Sequence, residues 1–220
     1  MFEATKIIHQ NNDWITLVLL FVFIVLSLLK VIFKGRLSHV NTVFISKKYF
    51  LTYFNKGKSN FLNGFHVSLF IVQLLVISLL FYLINIHFQF QPISLNFRGY
   101  ILIIFWVSLY FSLRYLIGLL LAFLFNFKNE YNILVYYKMS YFNNLILWVL
   151  PFLVLTVYVD MYHKLLLNIT VSLVVILLLL RYSLILMNNK KLIFSNLFYF
   201  ILYICALEIA PLIIILKLNI

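Results

Sequence analysis

The chain has 220 residues, of which 65% are hydrophobic and only 10% are charged, and its mean hydropathy is +1.10. A soluble domain is nearer half apolar and a quarter charged, so this composition excludes one and points to an integral membrane protein. A span takes about 20 residues, so six spans occupy most of the chain and leave no place for a soluble catalytic domain.

Six apolar segments follow one another, at 14–33, 65–86, 101–123, 145–159, 165–186 and 197–216. The fourth is short and recruits its start from 143, giving a span of 143–159. It then forms a helical hairpin with the fifth, a few residues on. The flank of the first segment, MFEATKIIHQNND, has two acids against one lysine. Its apolar core is too long for a cleavable signal, and no small-residue cleavage site follows, so it reads as a retained span. No internal repeat is defensible, which weakens transporter architectures built on inverted repeats. The expected fold is an all-α bundle of six transmembrane helices in a single membrane domain, 1–220.

Lysine and arginine set the orientation. Lys30, Lys34, Arg36, Lys47, Lys48, Lys56, Lys58, Lys128, Lys138, Arg181, Lys190 and Lys191 lie on one side of the predicted spans. Lys6, Arg98, Lys164 and Lys217 lie on the other. The richer side is cytoplasmic, so both termini are expected in the periplasm. The same distribution accounts for the formal net charge of +12 without nucleic acid, since no nucleic-acid-binding module is recognisable. The connection 34–64 is basic and aromatic, and Leu37, Val40, Phe44, Leu51 and Phe54 fall broadly on one side at helical spacing. It reads as an amphipathic helix on the cytoplasmic leaflet, with Lys47, Lys48, Lys56 and Lys58 on anionic headgroups; a docking surface for a partner protein is the sharper reading.

Two charges lie far from the ends of their spans, Arg114 and Glu208. A charge in hydrocarbon is costly and is held by a partner, a cavity or a proton. Arg114 sits about 20 Å along its helix from residue 101 and Glu208 about 16 Å from residue 197, at about 1.5 Å per residue. Their depths are close enough for an ion pair between the third and sixth helices. Pro211 follows Glu208 and leaves the carbonyl of Leu207 without its amide partner. Pro151 interrupts the fourth span in the same way. Gly118 and Ala122, on the Arg114 helix, form a small-xxx-small pair that admits a close neighbour.

Asp160 and His163 form a possible polar site in the hairpin YVDMYHK, although two ligands do not make a metal centre and solvated turn residues explain them as well. His66, His87, Gln73, Asn168, Asn143 and Asn144 are isolated polar residues in or near spans, each expected to bond a neighbouring helix. Cys205 is the sole cysteine, so no disulfide within the chain exists. No nucleophile–base pair, phosphate loop, dinucleotide fingerprint or zinc motif occurs. The reading is a non-enzymatic protein without metal or cofactor.

Phe, Tyr, Ile, Asn and Lys abound while alanine and glycine are scarce, the signature of an AT-rich bacterial genome. The run 203–211, YICALEIAP, the stretch 131–143, YNILVYYKMSYFN, and the residues from Arg114 to Gly118 resemble a family of small polytopic inner-membrane proteins of Bacteroidota, classified as a domain of unknown function. The resemblance covers nearly the whole chain, and its most specific part is the segment carrying Glu208. It implies a multi-pass protein of the bacterial inner membrane with no known activity. The favoured function is a structural or assembly subunit of an envelope complex, beside secretion or gliding machinery by association. Its partners are then other envelope membrane proteins, or further copies of itself. The alternative is a small-molecule or ion-coupled transporter that uses Glu208.

Overall fold

The computed structural model describes residues 13–33, 35–44, 64–88, 96–124, 126, 128–159 and 162–188. Within them lie six helices and no strand: α1 (Asp13–Ile32), α2 (Arg36–Asn41), α3 (Gly64–Phe88), α4 (Phe97–Leu124), α5 (Lys128–Tyr158) and α6 (His163–Asn188). All except α2 are long and apolar enough to cross a membrane, so the chain is a multi-pass membrane protein. The predicted sixth span, 197–216, and residues 45–63 of the first connection lie outside the described residues.

Helices are the expected solution here, because every backbone N–H and C=O in hydrocarbon has to be satisfied within its own segment. Their ends are marked by local chemistry. Gly35 turns the chain between α1 and α2 at φ +78°, a left-handed conformation that glycine adopts without a Cβ penalty. Asn126 does the same between α4 and α5 at φ 56°, where its short polar side chain tolerates the strain.

The helices are not equivalent. Of the spanning stretch of α5, 61% is buried inside the bundle, against 11% for α4. α5 packs against α2, α3, α4 and α6, and α3 against α1, α4, α5 and α6. These two central helices run in the same direction: Phe65 and Leu69 of α3 cluster with Tyr136 and Tyr141 of α5, and further along Val76 and Leu79 cluster with Val149 and Leu153. The outer helices present leucine, phenylalanine and isoleucine outward, as at Phe105, Trp106 and Leu120 of α4. Such faces suit lipid tails, which are as apolar as they are.

The fourth span differs from expectation. It is expected over 143–159, but α5 begins at Lys128 and is continuous to Tyr158, with Pro151 inside it. Its first half is polar, yet Tyr131, Tyr136, Ser140, Asn143 and Asn144 are all buried. These residues are sheltered by other helices, so hydropathy underestimates the span. Pro151 points outward, where its missing N–H leaves the carbonyl of Leu147 without the usual intrahelical bond.

At one end of the bundle an aromatic group ties three helices. The Trp14 ring lies 5.0 Å from both Tyr82 and Tyr100, and the Tyr100 hydroxyl donates to the Leu75 carbonyl at 3.2 Å. Tyr158 of α5 donates to Oγ1 of Thr16 on α1 at 3.2 Å. Aromatic rings with a polar tip favour the membrane–water boundary.

α4 meets α5 through small residues. Gly118 and Ala122 are buried, and the ring of Tyr131 lies over Gly118 so closely that an added Cβ would come within 2.8 Å of Cζ. The Tyr131 hydroxyl reaches on to the Tyr115 carbonyl at 3.2 Å. Overpacking of such a contact costs about 1–3 kcal/mol. Gly118→Leu is therefore expected to lower the thermal midpoint of the purified protein in detergent, Gly118→Ala to lower it less, and Tyr131→Ala to relieve the penalty. A midpoint unchanged in Gly118→Leu would show that the approach is not that close.

Candidate functional site

The buried charged side chains of the described residues, Arg36, Lys138 and Arg181, collect at the end opposite the Trp14 aromatic group, where α1 ends, α3 and α5 begin and α6 ends. Lys30, Arg36, Lys128, Lys138 and Arg181 make this the basic end of the bundle.

Two arginines hold it together. Arg36, on the short helix α2, is only 4% exposed. Its Nη2 donates to Nε2 of His66 on α3 at 3.0 Å, and its guanidinium lies 4.4 Å from the centre of the Phe65 ring. A guanidinium has no acceptor, so Nε2 of His66 receives the hydrogen bond and the imidazole proton sits on Nδ1. The His66 ring in turn stands edge-on to Tyr136 of α5 at 5.5 Å. Arg181, on α6, donates through Nη2 to the Lys138 carbonyl of α5 at 3.2 Å and lies 4.6 Å from the centre of the Phe142 ring. Planar guanidinium groups suit this double role of carbonyl or imidazole bond and ring stacking better than an ammonium does. Trp148 adds a longer bond from Nε1 to the Asn41 carbonyl at 3.4 Å, so α2 is also tied to α5.

The described part of the first connection packs against the bundle. Val40 and Val43 are buried in the same cluster as Leu29, Phe65 and Tyr141, and Leu37 and Phe44 pack against it. Over 36–44 the apolar face docks onto the bundle. Lys47, Lys48, Lys56 and Lys58 lie outside the described residues.

Deeper in, Gln73 of α3 and Asn143 and Asn144 of α5 are buried. Arg114 is half-buried on α4, one turn before the Gly118 contact. Glu208, Pro211 and Cys205 lie outside the described residues, as does Asp160. His163 begins α6, and its Nδ1 donates to the Thr156 carbonyl near the end of α5 at 2.7 Å. That bond closes the α5–α6 hairpin and occupies one ring nitrogen. No group of three metal-ligating side chains occurs among the described residues.

Sequence reading names His66, Gln73, Asn143 and Asn144 as polar residues bound for neighbouring helices. It counts Arg36, Lys138 and Arg181 only as orientation signals. The available signal for Arg36 was its place next to Gly35 in an apolar-periodic stretch; nothing local reveals that His66, thirty residues on, receives its hydrogen bond.

Hydrogen bonds that involve a charged group contribute about 1.5–3 kcal/mol. Arg36→Gln is accordingly expected to lower stability in detergent by about that much, with Arg36→Lys recovering only part because it loses the planar fork. In a double-mutant cycle with His66→Ala, the two losses are expected to be non-additive. Simple additivity of the thermal shifts would show that the Arg36–His66 contact contributes nothing.

Searches of curated proteins and of solved structures give no match. A family model does match, and it extends over residues 15–218. The chain thus belongs to the family described as Domain of unknown function (DUF4271).

Proposed function

We propose that this protein is a non-enzymatic structural or assembly subunit of a membrane complex in the bacterial inner membrane, with its basic end in the cytoplasm. The observation that carries the reading is how the described polar groups are used. Arg36, Arg181, Trp148, Tyr131, Tyr100 and His163 each bond to another helix. Their chemistry joins helices, as expected of a scaffold in a solvent that offers no hydrogen bonds. The excess of lysine and arginine at one end supports the orientation, and the same charges suit anionic headgroups. Purification in mild detergent is expected to bring down other envelope membrane proteins in fixed proportion, or to yield a defined homo-oligomer. A monodisperse monomer without partners would overturn the reading.

Within this proposal, Glu208 pairs with Arg114 and specifies how the last apolar segment docks. Removing one partner of a buried pair is strongly destabilising, by about 3–5 kcal/mol. Glu208→Gln and Arg114→Gln are therefore each expected to reduce the amount of folded protein in the membrane. The swap Arg114→Glu with Glu208→Arg is expected to recover part of it. Normal abundance of Glu208→Gln would instead favour a transporter in which that carboxylate carries a proton or binds a cation.

A further inference from the structure

A small cavity of about 10 Å³ lies where α3, α5 and α6 meet, toward the hairpin end of the bundle. Six of its eight lining residues are leucine, isoleucine or valine, and the other two are Thr156 of α5 and Thr170 of α6. Both threonines are buried, at 1% and 3% exposure. A wholly apolar cavity of this kind stays dry, so the two hydroxyls decide what it can hold.

Neither hydroxyl proton is available to an occupant. Thr156 donates through Oγ1 to the Leu153 carbonyl at 2.7 Å. Thr170 donates through Oγ1 to the carbonyls of Leu166 at 2.7 Å and Leu167 at 2.9 Å. A hydroxyl has one proton and two lone pairs, so each threonine brings only an acceptor to the cavity. Both acceptors flank the closure of the α5–α6 hairpin: Thr156 lies seven residues before His163, whose Nδ1 donates to the Thr156 carbonyl at 2.7 Å, and Thr170 lies seven after it.

We propose that this cavity holds one water molecule, which donates to Oγ1 of Thr156 and to Oγ1 of Thr170 and so bridges α5 and α6. A buried water needs about 10–15 Å³ and about two to four polar partners. The cavity has room for one molecule and not for two, and the two hydroxyls supply the partners. A bare cation such as calcium takes about six to eight oxygen ligands, and the side chains here offer two. Water needs no charge compensation and supplies the donors that both threonines lack. It adds a second link to the hairpin beside the bond from His163. The inference stands apart from the scaffold proposal, since a bridged hairpin is compatible with any partner.

The experiment is X-ray hydroxyl-radical footprinting of the purified full-length protein in nanodiscs, read by mass spectrometry. Radicals formed from a bound water oxidise the side chains beside it, even where bulk solvent does not reach. Leu153 and Leu167 line the cavity and are 1% and 2% exposed. They are expected to be oxidised several-fold faster than Ile15 and Leu19, which are comparably buried near the same end of the bundle and do not line it. Thr156→Val and Thr170→Val keep the side-chain shape and delete one acceptor each. Each is expected to bring Leu153 and Leu167 down to the Ile15 rate, because a water with a single partner is not held. Oxidation of Leu153 and Leu167 at the Ile15 rate in the native protein would overturn the proposal and leave a dry packing defect. So would labelling that persists unchanged in both folded valine variants. Where a variant does not fold, the comparison within the native protein decides alone.

Discussion

Everything in this structure depends on the absence of water as a hydrogen-bonding partner inside the bilayer. A polar group there has to be satisfied by the protein itself, or it costs several kcal/mol. α5 carries the largest share of such groups among the described helices, with Tyr131, Ser140, Asn143, Asn144 and Thr156 all buried. It is therefore the helix that the others surround. Ser140 and Thr156 return their hydroxyls to carbonyls of their own helix. Tyr131 reaches α4, and the carbonyl of Lys138 receives Arg181 from α6. The position of α5 follows from its polarity, because an outer position would have exposed these groups to hydrocarbon.

The two ends of the bundle solve the same problem differently. At one end aromatic rings do it: Trp14, Tyr82 and Tyr100 pack edge-on and tilted against one another, where a ring can be apolar on its face and polar at its tip. At the other end guanidinium groups do it, lying on Phe65 and Phe142 while bonding to His66 and to a backbone carbonyl. Arg36 arrives on a helix of only six residues. Such a helix has little stability of its own, so α2 is ordered by what Arg36 and Val40 bury. The basic end is thus built from charge that orients the chain and from the same charge turned inward to join helices.

Some of the site is legible in the sequence alone. An imidazole at 66 and amides at 73, 143 and 144 inside apolar segments cannot be left facing lipid, so a neighbouring helix was the expected destination. Gly118 and Ala122 announce a close approach by their size alone. The start of α5 was not legible, because 128–142 has the hydropathy of a connection. Only burial by four other helices makes that stretch a membrane helix. The role of Arg36 was not legible either, since its contacts with Phe65 and His66 cross a connection that no local pattern spans.

What the sequence by itself determined is the solvent, the class and the spacing. Sustained apolar runs of span length require a helical membrane protein, because no other open backbone structure is satisfied in hydrocarbon. The asymmetry of lysine and arginine distinguishes the two ends. Tertiary structure alone decided that α3 and α5 run side by side in the same direction and that Arg36 reaches His66 and Arg181 reaches α5. Those outcomes depend on which faces fit together. Hydrophobicity alone does not select those contacts; the shape of Gly118 under Tyr131 and the pairing of a few buried polar groups do.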